Sequence, residues 1–357
     1  MIKGNKGEWS EIYVLLKLLA EGNLYPGDKD LNRIKDAYYP IVKILRTESF
    51  GDMEYFYDQD IVLITGREEL ARMTVKDFKE KSLVLFDRLK EKTKGTFSVP
   101  EIEEFMRSIH CANLKASSSV KTDITVKVHD HRTGFQPILG FSIKSQLGGA
   151  STLLNAGKTT NFKYKINGLN GSELDQINSI SNPKKILKRI SKISELGGTF
   201  EFDKIINNVF SNNLVLIDSL LPQIISEIIL NFYTTSASTL TDLVELSESK
   251  NPLGFDNSNK HLFYTYKVKK MLTDIALGMT PAKVWSGKYD ATGGYLIVKD
   301  DGDILCYHLY NKNEFEDYLL SNTRLETAST TRYSFAELYE ENGQFFFNLN
   351  LQIRFIK

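Results

Sequence analysis

The hydrophobic pattern near the start of the chain predicts a buried helix. Its main apolar stripe repeats at helical spacing and consists of Trp9, Ile12, Tyr13, Leu16 and Leu19. Asn5 and Glu8 have the spacing of a capping box, which predicts that the helix begins beside them. Glu8 and Glu11 lie in its first two turns. Because a carboxylate in buried surroundings needs a partner, a hydrogen bond or a metal, both acids are candidates for chemistry.

The pattern over 28–115 predicts mostly helix. A short strand is expected near 60–65, and a longer helix over 75–93. The run Ser98-Val99-Pro100-Glu101 is typical of a helix start, because proline is favoured at the first helical position. Apolar residues at helical spacing follow it: Ile102, Phe105, Met106 and Ile109.

Further along, the apolar period changes to two, which is typical of strands. The alternating apolar positions are Val120, Ile124, Val126 and Val128. A turn is predicted over 130–134 and a second strand over 138–145. In an antiparallel hairpin centred on this turn, paired residue numbers add up to about 265. To within a residue or two, Asp123 is then opposite Ser142, and Lys144 lies one diagonal step away on the same polar face.

The spacing of apolar residues and the positions of turn residues also predict the elements in the rest of the chain. The elements are a basic amphipathic helix over 183–196, helices over 201–250, a hairpin of 295–298 and 304–309, a helix near 313–320 and a last strand over 345–355. Together with the central hairpin, they indicate an α/β protein. Two parts are expected, 1–200 with the first helix and the central hairpin, and 201–357 with a helical segment and a mixed α/β end.

Charge is distributed unevenly along a chain whose formal net charge is zero. Between Lys115 and Lys192 there are thirteen lysines and arginines against four acids. A basic segment in a neutral protein is typical of a surface that binds a polyanion such as nucleic acid. A lysine-rich solvated surface is the alternative, and charge alone does not distinguish the two.

Composition disfavours several classes of protein. The two cysteines, Cys111 and Cys306, have the spacing of neither a disulfide framework nor a metal site. The N-terminus lacks the apolar stretch of a signal peptide. The longest apolar region is interrupted by Asp218 and Pro222, so no membrane span is expected. The composition therefore predicts a cytoplasmic protein.

The polar face of the central hairpin offers what metal-dependent phosphodiester hydrolysis requires. The reaction needs a metal that polarises the phosphoryl oxygen and a cation that orients water or neutralises charge. Mg²⁺ prefers oxygen ligands, often one or two carboxylates with carbonyls and waters. Asp123, the carbonyl of Ile143 and Lys144 could supply this set, and Glu11 or Glu8 could supply a second acid.

Asp123 followed by Ser142-Ile143-Lys144 resembles the PD-(D/E)xK nuclease signature, with two departures. Thr122 stands where the pattern has proline, and Ser142 stands where it has an acid. A hydroxyl is a poor substitute for a carboxylate at a metal, so a second acid is expected elsewhere. Some restriction endonucleases of this superfamily carry that acid on a helix, which implies Glu11 as the first candidate and Glu8 as the second.

Longer runs resemble the HpaII-like type II restriction endonucleases. They are GNKGEWSE over 4–11, GFSIKSQLGGASTLLNAGKTTNF over 140–162, GGYLIVKDDGDILCYHLYN over 293–311 and NTRLETAST over 322–330. The resemblance spans the chain and implies a PD-(D/E)xK restriction-endonuclease-like core, a mixed β-sheet flanked by helices with helical and β additions. It also implies Mg²⁺-dependent cleavage of both strands of double-stranded DNA at CCGG. The part over 1–200 would be the nuclease core, and 201–357 would contribute to DNA recognition.

Within this family, further roles are expected. Lys144 would position or activate water, and Ser142 and Gln146 are additional catalytic candidates, Gln146 because it shares the face of Lys144. A homodimer is expected, since closed two-fold symmetry matches a palindromic target. A cognate DNA methyltransferase is expected as a genetic partner, not as a bound one.

Candidate DNA contacts continue beyond the central hairpin. Glycines and hydroxyls let backbone amides approach a phosphate, and arginine is the usual reader of guanine. The predicted contacts are Arg132, Ser145, Gly148, Gly149, Ser151, Thr152, Asn155, Lys158, Thr160, Asn161, Arg324 and Arg332. Arg189 is a further available arginine, in a basic helix that suits either a DNA backbone or solvent.

Two other functions fit the same residues. A junction resolvase or repair nuclease would share the core and its catalytic residues, although resolvases are usually much shorter. A non-catalytic DNA-binding protein would explain Ser142 as the mark of an inactive site.

Overall fold

A computed structural model describes the chain except for residues 93–94, 116–121, 132, 182–183 and 357. The described residues form two compact units. The first comprises Met1–Ser151 and Tyr289–Tyr318, and the second comprises Thr152–Lys288 and Leu319–Ile356. Helices and sheets occur in both, so the predicted α/β class is confirmed. This division differs from the two expected parts, which met at residue 200.

The helices and strands are numbered separately in chain order. The helices are α1 (Lys6–Glu21), α2 (Val75–Glu91), α3 (Pro100–Ser108), α4 (Leu174–Asn178), α5 (Lys185–Glu195), α6 (Asn208–Ile217), α7 (Leu221–Thr234), α8 (Leu240–Lys250), α9 (Phe263–Leu277), α10 (Lys312–Ser321) and α11 (Thr330–Tyr333). The strands are β1 (Asn23–Pro26), β2 (Tyr39–Glu48), β3 (Gly51–Asp58), β4 (Ile61–Thr65), β5 (Glu69–Thr74), β6 (Ile124–Val128), β7 (Ile138–Ser145), β8 (Thr152–Leu154), β9 (Asn161–Asn167), β10 (Thr199–Ile205), β11 (Gly294–Val298), β12 (Ile304–Tyr307), β13 (Thr323–Leu325), β14 (Leu338–Glu341), β15 (Gln344–Asn350) and β16 (Ile353–Phe355).

In the described part of the first unit, nine strands form one sheet in the order β1-β12-β11-β7-β6-β2-β3-β4-β5. Strand β1 pairs in parallel with β12, and β7 pairs in parallel with β11. The pairings β11–β12, β6–β7 and β2–β3 are antiparallel, so the sheet is mixed. Helix α1 packs against α2 and against β7 at the centre of this sheet.

The mostly helical structure predicted over 28–115 is wrong. Strands β2 to β5 form an antiparallel meander over most of 39–74, and the predicted strand near 60–65 is one of its members, β4. Tight turns join the strands, with Glu48 paired to Gly51 and Asp58 paired to Ile61. One face of β3 and β4 packs against the core and buries Met53, Tyr55, Val62 and Ile64 at a period of two, a signal that the helical interpretation overlooked. The helices predicted after 75 and at Pro100 are confirmed as α2 and α3.

Helix α1 begins with the predicted capping box. The Asn5 side chain accepts the backbone N–H of Glu8 at 3.1 Å, and the Glu8 carboxylate accepts the backbone N–H of Asn5 at 2.8 Å. The apolar positions of the helix are buried on all sides, and Nε1 of Trp9 donates to the carbonyl of Phe97 at 3.0 Å. Such a helix is stabilised by tertiary packing, which fixes the position of the acids in its first two turns.

The central hairpin has the predicted register. Ile124 pairs with Phe141, and the backbone N–H of Asp123 donates to the carbonyl of Phe141 at 2.9 Å. Strand β7 has the predicted bounds, whereas Val120 and Lys121, at the start of the first predicted strand, lie outside the described residues. Asp123 therefore lies beside Ser142, as the pairing arithmetic required.

The hairpin predicted near the C-terminus is confirmed as β11 and β12. Its pairing with β7 places Ile297 opposite Lys144 and Tyr295 opposite Ser142. Gly294 starts β11 with a φ of +97°, and a Cβ there would lie 2.0 Å from the carbonyl oxygen of Tyr307. A residue without a side chain is needed for β11 to enter the sheet at this point.

The second unit contains two smaller sheets, β10-β9-β15-β14 and β13-β16-β8. The predicted basic helix is confirmed as α5. The helices predicted over 201–250 begin only at Asn208, because Thr199–Ile205 pair with β9 as a strand. The predicted last strand is interrupted near Leu351, and its two halves, β15 and β16, belong to different sheets.

Cys111 and Cys306 are buried, free thiols. Within the described ranges, no single helix is long and apolar enough to cross a membrane. The pair α6 and α7, bent by 108° at its junction, meets that length and composition only when the two helices are taken together.

Candidate active site

A cleft in the first unit gathers the residues predicted to carry chemistry. It encloses about 570 Å³ and is lined by the start of α1, the end of β7 and the segment that follows β7. The predicted catalytic and metal-binding residues on its walls are Glu8, Glu11, Asp123, Ile143 and Lys144. The central hairpin and the N-terminal helix thus meet at one site.

Asp123 is held by the strand opposite it. Its Oδ2 atom accepts the backbone N–H of Ile143 at 2.7 Å and the hydroxyl of Ser142 at 3.1 Å. Ser142 is only 3% exposed, so this hydroxyl serves the carboxylate. Both hydrogen bonds come to one oxygen and fix the orientation of the carboxylate in the cleft.

Glu11 projects from α1 into the same cleft. Burial, and then the charge of Asp123, raise the pKa of Glu11 to about 8, although Lys115 and Arg46 act in the opposite direction. Among the described residues, its carboxylate makes no hydrogen bond and no ion pair. An ionised Glu11 beside Asp123 is therefore costly unless a cation joins them.

Lys144 is half-buried and lines the cleft, with Nζ 5.2 Å from the ring centroid of Tyr295. Burial lowers the pKa of Lys144, while the charges of Asp123 and Glu11 oppose that shift. The burial reflects the position of Lys144 on a central strand, covered by α1 on one face and paired with β11 along one edge. The amine and the two carboxylates form one electrostatic group.

Glu8 serves the start of α1. Its carboxylate closes the capping box, and its Oε1 atom lies 3.5 Å from Nζ of Lys115. Both carboxylate oxygens of Glu8 are therefore engaged, whereas neither oxygen of Glu11 has a partner among the described residues. Of the two candidate second acids, Glu11 is the one whose carboxylate faces the cleft without a partner among the described residues.

The donor set of the cleft fits a hard divalent cation. Two carboxylates converge, and Ile143 lines the cleft beside them. Within the described ranges, no group of three or more His, Cys, Asp or Glu side chains could hold a metal. Mg²⁺ is commonly bound by one or two carboxylates and keeps several waters, so a two-carboxylate site suits it.

The packing of α1 on β7 depends on residues that the sequence did not single out. The hydroxyl of Ser10, which is fully buried, lies 2.9 Å from Oγ of Ser145 and 2.8 Å from the carbonyl of Lys6. Nζ of Lys6 donates to the carbonyl of Leu147 at 2.6 Å. These contacts tie the neighbours of Glu11 to the neighbours of Lys144. Lys6 and Ser10 lie in the 4–11 run, which was their only signal in the sequence.

The predicted DNA contacts of the first unit fall partly in the cleft. Ser145, Gly148, Gly149 and Ser151 line it. Arg132 lies outside the described residues. Gln146 is half-buried, and its backbone N–H donates to the carbonyl of Val298 at 2.8 Å. Its catalytic role stays a prediction.

The predicted DNA contacts of the second unit differ in exposure. Asn155, Lys158 and Arg332 are exposed, and Thr152 and Arg324 are half-buried. These five stay predictions.

Thr160 and Asn161 do not belong to an exposed surface of donors, as the sequence had suggested. Thr160 is fully buried, and Asn161 is 3% exposed. The Asn350 amide donates to Oγ1 of Thr160 at 3.1 Å and to Oδ1 of Asn161 at 2.7 Å, so both side chains are used inside the fold. Arg189 is likewise buried, and it donates to the backbone carbonyls of Asn178, Ile180 and Ala336. Its guanidinium is therefore not available for base contacts.

Comparisons with known proteins show the family of this chain. The HpaII restriction endonuclease family matches residues 5–355. The type II restriction enzyme HpaII of Haemophilus parainfluenzae is 46% identical over 356 residues, which cover 99% of this chain and 98% of that enzyme. No solved structure matches the chain. The family resemblance drawn from the sequence is confirmed.

Proposed function

The chain belongs to the HpaII family of type II restriction endonucleases, and on that premise we propose that it cuts both strands of DNA at CCGG, with Mg²⁺ held by Asp123 and Glu11. The observation that carries this proposal is the convergence of these two carboxylates and Lys144 in one cleft. A cation between the acids offsets the cost that burial and mutual repulsion impose on Glu11. The carbonyl of Ile143 is proposed as a further ligand.

Each side chain of the site has a separate task. Asp123 is oriented by the Ile143 amide and the Ser142 hydroxyl before DNA arrives, so little reorganisation is needed when the metal site forms. When bound, Mg²⁺ would polarise the phosphoryl oxygen and lower the pKa of water. Lys144 lines the same cleft and is suited to orient the attacking water and to neutralise charge that develops at the phosphate.

The same geometry supports a PD-(D/E)xK core. Asp123 directly precedes β6 and Lys144 lies on the neighbouring β7, which matches the spacing of the signature, and Ser142 occupies the position of the missing acid. Helix α1 brings Glu11 to the same face, so a helix replaces a strand as the source of the second carboxylate. This arrangement supports Glu11 over Glu8 as the second metal ligand.

The family supports a proposal for the target and for the assembly. A restriction endonuclease acts on double-stranded DNA, and the similarity to the HpaII enzyme supports CCGG as the site. A palindrome is read and cut most simply by two copies related by a two-fold axis, so we propose a homodimer. A cytoplasmic location and a cognate methyltransferase stay predictions.

A digest of unmethylated plasmid DNA in Mg²⁺ buffer tests the proposal. The wild-type protein should give discrete fragments, and run-off sequencing of their ends should read CCGG. Asp123→Ala and Lys144→Ala should each cut at least about 100-fold more slowly, because each removes part of the charge stabilisation at the phosphate. Asp87→Ala, on the exposed face of α2, is the matched control and should cut normally.

Two outcomes would contradict the proposal. Efficient cleavage by Asp123→Ala or Lys144→Ala would show that the cleft is not the active site. Specific binding in Ca²⁺ without any cleavage in Mg²⁺ would instead indicate a non-catalytic DNA-binding protein.

A further inference from the structure

Two arginines face each other across a pair of strands in the second unit. In the sheet β13-β16-β8, Arg324 pairs with Arg354, and Arg354 pairs in turn with Thr152. The three residues therefore form one row across the sheet, at its middle strand and both edges. Arg354 is not among the DNA contacts expected from the sequence, because nothing local indicates that it lies beside Arg324.

The row points away from the core. The residues on either side of the two arginines are buried, namely Thr323, Leu325, Ile353 and Phe355. Since side chains alternate between the faces of a strand, both arginines lie on the opposite face. Their side chains are 39% and 31% exposed, so each is partly open to solvent.

One carboxylate holds the two guanidinium groups together. Oε2 of Glu326 lies 2.7 Å from Nη1 of Arg354, and Oε1 lies 3.8 Å from Nη2 of Arg324. The first contact is a hydrogen bond, whereas the second is too long for one. Glu326 thus orients Arg354 directly and holds Arg324 by charge.

This pairing is unfavourable for stability alone. Like charges directly opposite each other on antiparallel strands destabilise a sheet. Exposed ion pairs contribute little to folding. A local conflict of this kind is typical of a position kept for function.

We propose that Arg354 and Arg324, aligned by Glu326, read guanine edges in the major groove of the target DNA. This inference rests on the proposed function, in which the target consists only of G and C. The planar guanidinium group can donate two parallel hydrogen bonds to O6 and N7 of guanine, which lysine cannot match. Arg354 and Arg324 are specificity-determining residues in this proposal, and Glu326 is a positioning residue.

The proposal is tested by measuring how tightly the protein binds two DNA duplexes that differ only in the N7 acceptor of guanine. One duplex contains CCGG, and the other has 7-deazaguanine at both guanines of each strand, which removes N7 but keeps base pairing. In Ca²⁺ buffer, the wild-type Kd should rise about 5- to 150-fold on the modified duplex. Arg354→Lys and Glu326→Gln should bind CCGG more weakly and lose most of this difference.

Arg72→Lys is the control, because Arg72 forms an exposed ion pair with Glu69 on β5, in the other unit. It should keep the wild-type ratio of the two Kd values. Arg324→Lys provides a second variant if Arg354→Lys does not fold, since it leaves the direct contact of Arg354 with Glu326 intact. If the folded Arg354→Lys and Arg324→Lys variants keep the wild-type ratio of the two Kd values, this proposal is overturned.

The two proposals fail separately. If the wild-type protein does not prefer CCGG to an unrelated duplex, the proposed target is wrong and this inference falls with it. If the wild-type protein prefers CCGG and the lysine variants discriminate as it does, only the assignment of the arginines is wrong.

Discussion

The hydroxyl of Ser142 donates a hydrogen bond to the Oδ2 atom of Asp123, with 3.1 Å between the two oxygens. The residue that stands in place of an acid in the nuclease signature therefore orients the acid that remains. In the proposed metal site, Ser142 supports a ligand instead of being one. The consequences of this relationship, and of the position of Glu11, can be measured.

Ser142→Ala should weaken the proposed metal site without abolishing it. The backbone N–H of Ile143 still orients Asp123 at 2.7 Å, so the carboxylate keeps one of its two hydrogen bonds. Loss of a residue that supports a ligand typically costs about 10- to 100-fold in metal affinity. The Mg²⁺ concentration for half-maximal cleavage should rise by that factor, while the rate at saturating Mg²⁺ changes less. Ser82→Ala, at a buried serine of α2, is the control and should leave the Mg²⁺ dependence unchanged.

Glu11→Gln should stabilise the metal-free protein at alkaline pH. Burial and Asp123 raise the pKa of Glu11 from 4.5 to about 8. Between these values the unfolded chain releases a proton that the folded protein keeps, so the stability of the wild-type protein falls as pH rises through this window. Each unit of pKa shift corresponds to about 1.4 kcal/mol. We therefore expect Glu11→Gln to raise the free energy of unfolding at alkaline pH by at most about a few kcal/mol.

Thermal unfolding in EDTA at pH 4 and at pH 8.5 measures this effect. Glu11→Gln should have a Tm near that of the wild-type protein at pH 4 and a higher Tm at pH 8.5. The same difference at both pH values would show that Glu11 ionises normally. In Mg²⁺, the variant should cut DNA at least about 100-fold more slowly, because an amide is a weaker ligand than a carboxylate.

The pH dependence of cleavage should vary with the Mg²⁺ concentration. A proton and a cation compete for Glu11, since a carboxylate must lose its proton to bind a metal. At limiting Mg²⁺, the cleavage rate should rise with pH up to about 8, the pKa to which burial raises Glu11. Saturating Mg²⁺ should move this rise to lower pH. Identical profiles at both concentrations would contradict the role of Glu11 as a ligand.

Ser10→Ala should loosen the contact between α1 and β7. The Ser10 hydroxyl is fully buried and lies 2.9 Å from Oγ of Ser145, so its loss removes the hydrogen bond between α1 and β7 as well as its contact with the carbonyl of Lys6 within α1. The free energy of unfolding should fall by about 1 kcal/mol. The Mg²⁺ requirement should also rise, because α1 carries Glu11. Urea unfolding and Mg²⁺ titration check both effects. A stability loss with an unchanged Mg²⁺ requirement would mean that Ser10 does not position Glu11.

The sequence by itself determined the local geometry of the site. Alternation on both sides of a short turn leaves one register that buries the apolar residues, and this is why Ile124 pairs with Phe141 as predicted. The capping box of α1 follows from the spacing of Asn5 and Glu8 alone. Such features depend on residues that are close in the chain, where steric and hydrogen-bonding preferences act directly.

The tertiary structure decided everything that depends on distant residues. Only the fold shows that Tyr295 pairs opposite Ser142 within reach of Lys144. It alone shows that Glu11, and not Glu8, has a free carboxylate among the described residues. The burial of Thr160 is also visible only in the fold. The meander of β2 to β5 and the pairing of Arg324 with Arg354 were hidden for the same reason. The spacing of apolar residues predicts which face of a helix or strand is apolar, but it does not predict which other element will pack on that face. Packing makes that choice by burying apolar area over the whole chain, and in doing so it brought Glu11 into the cleft beside Asp123.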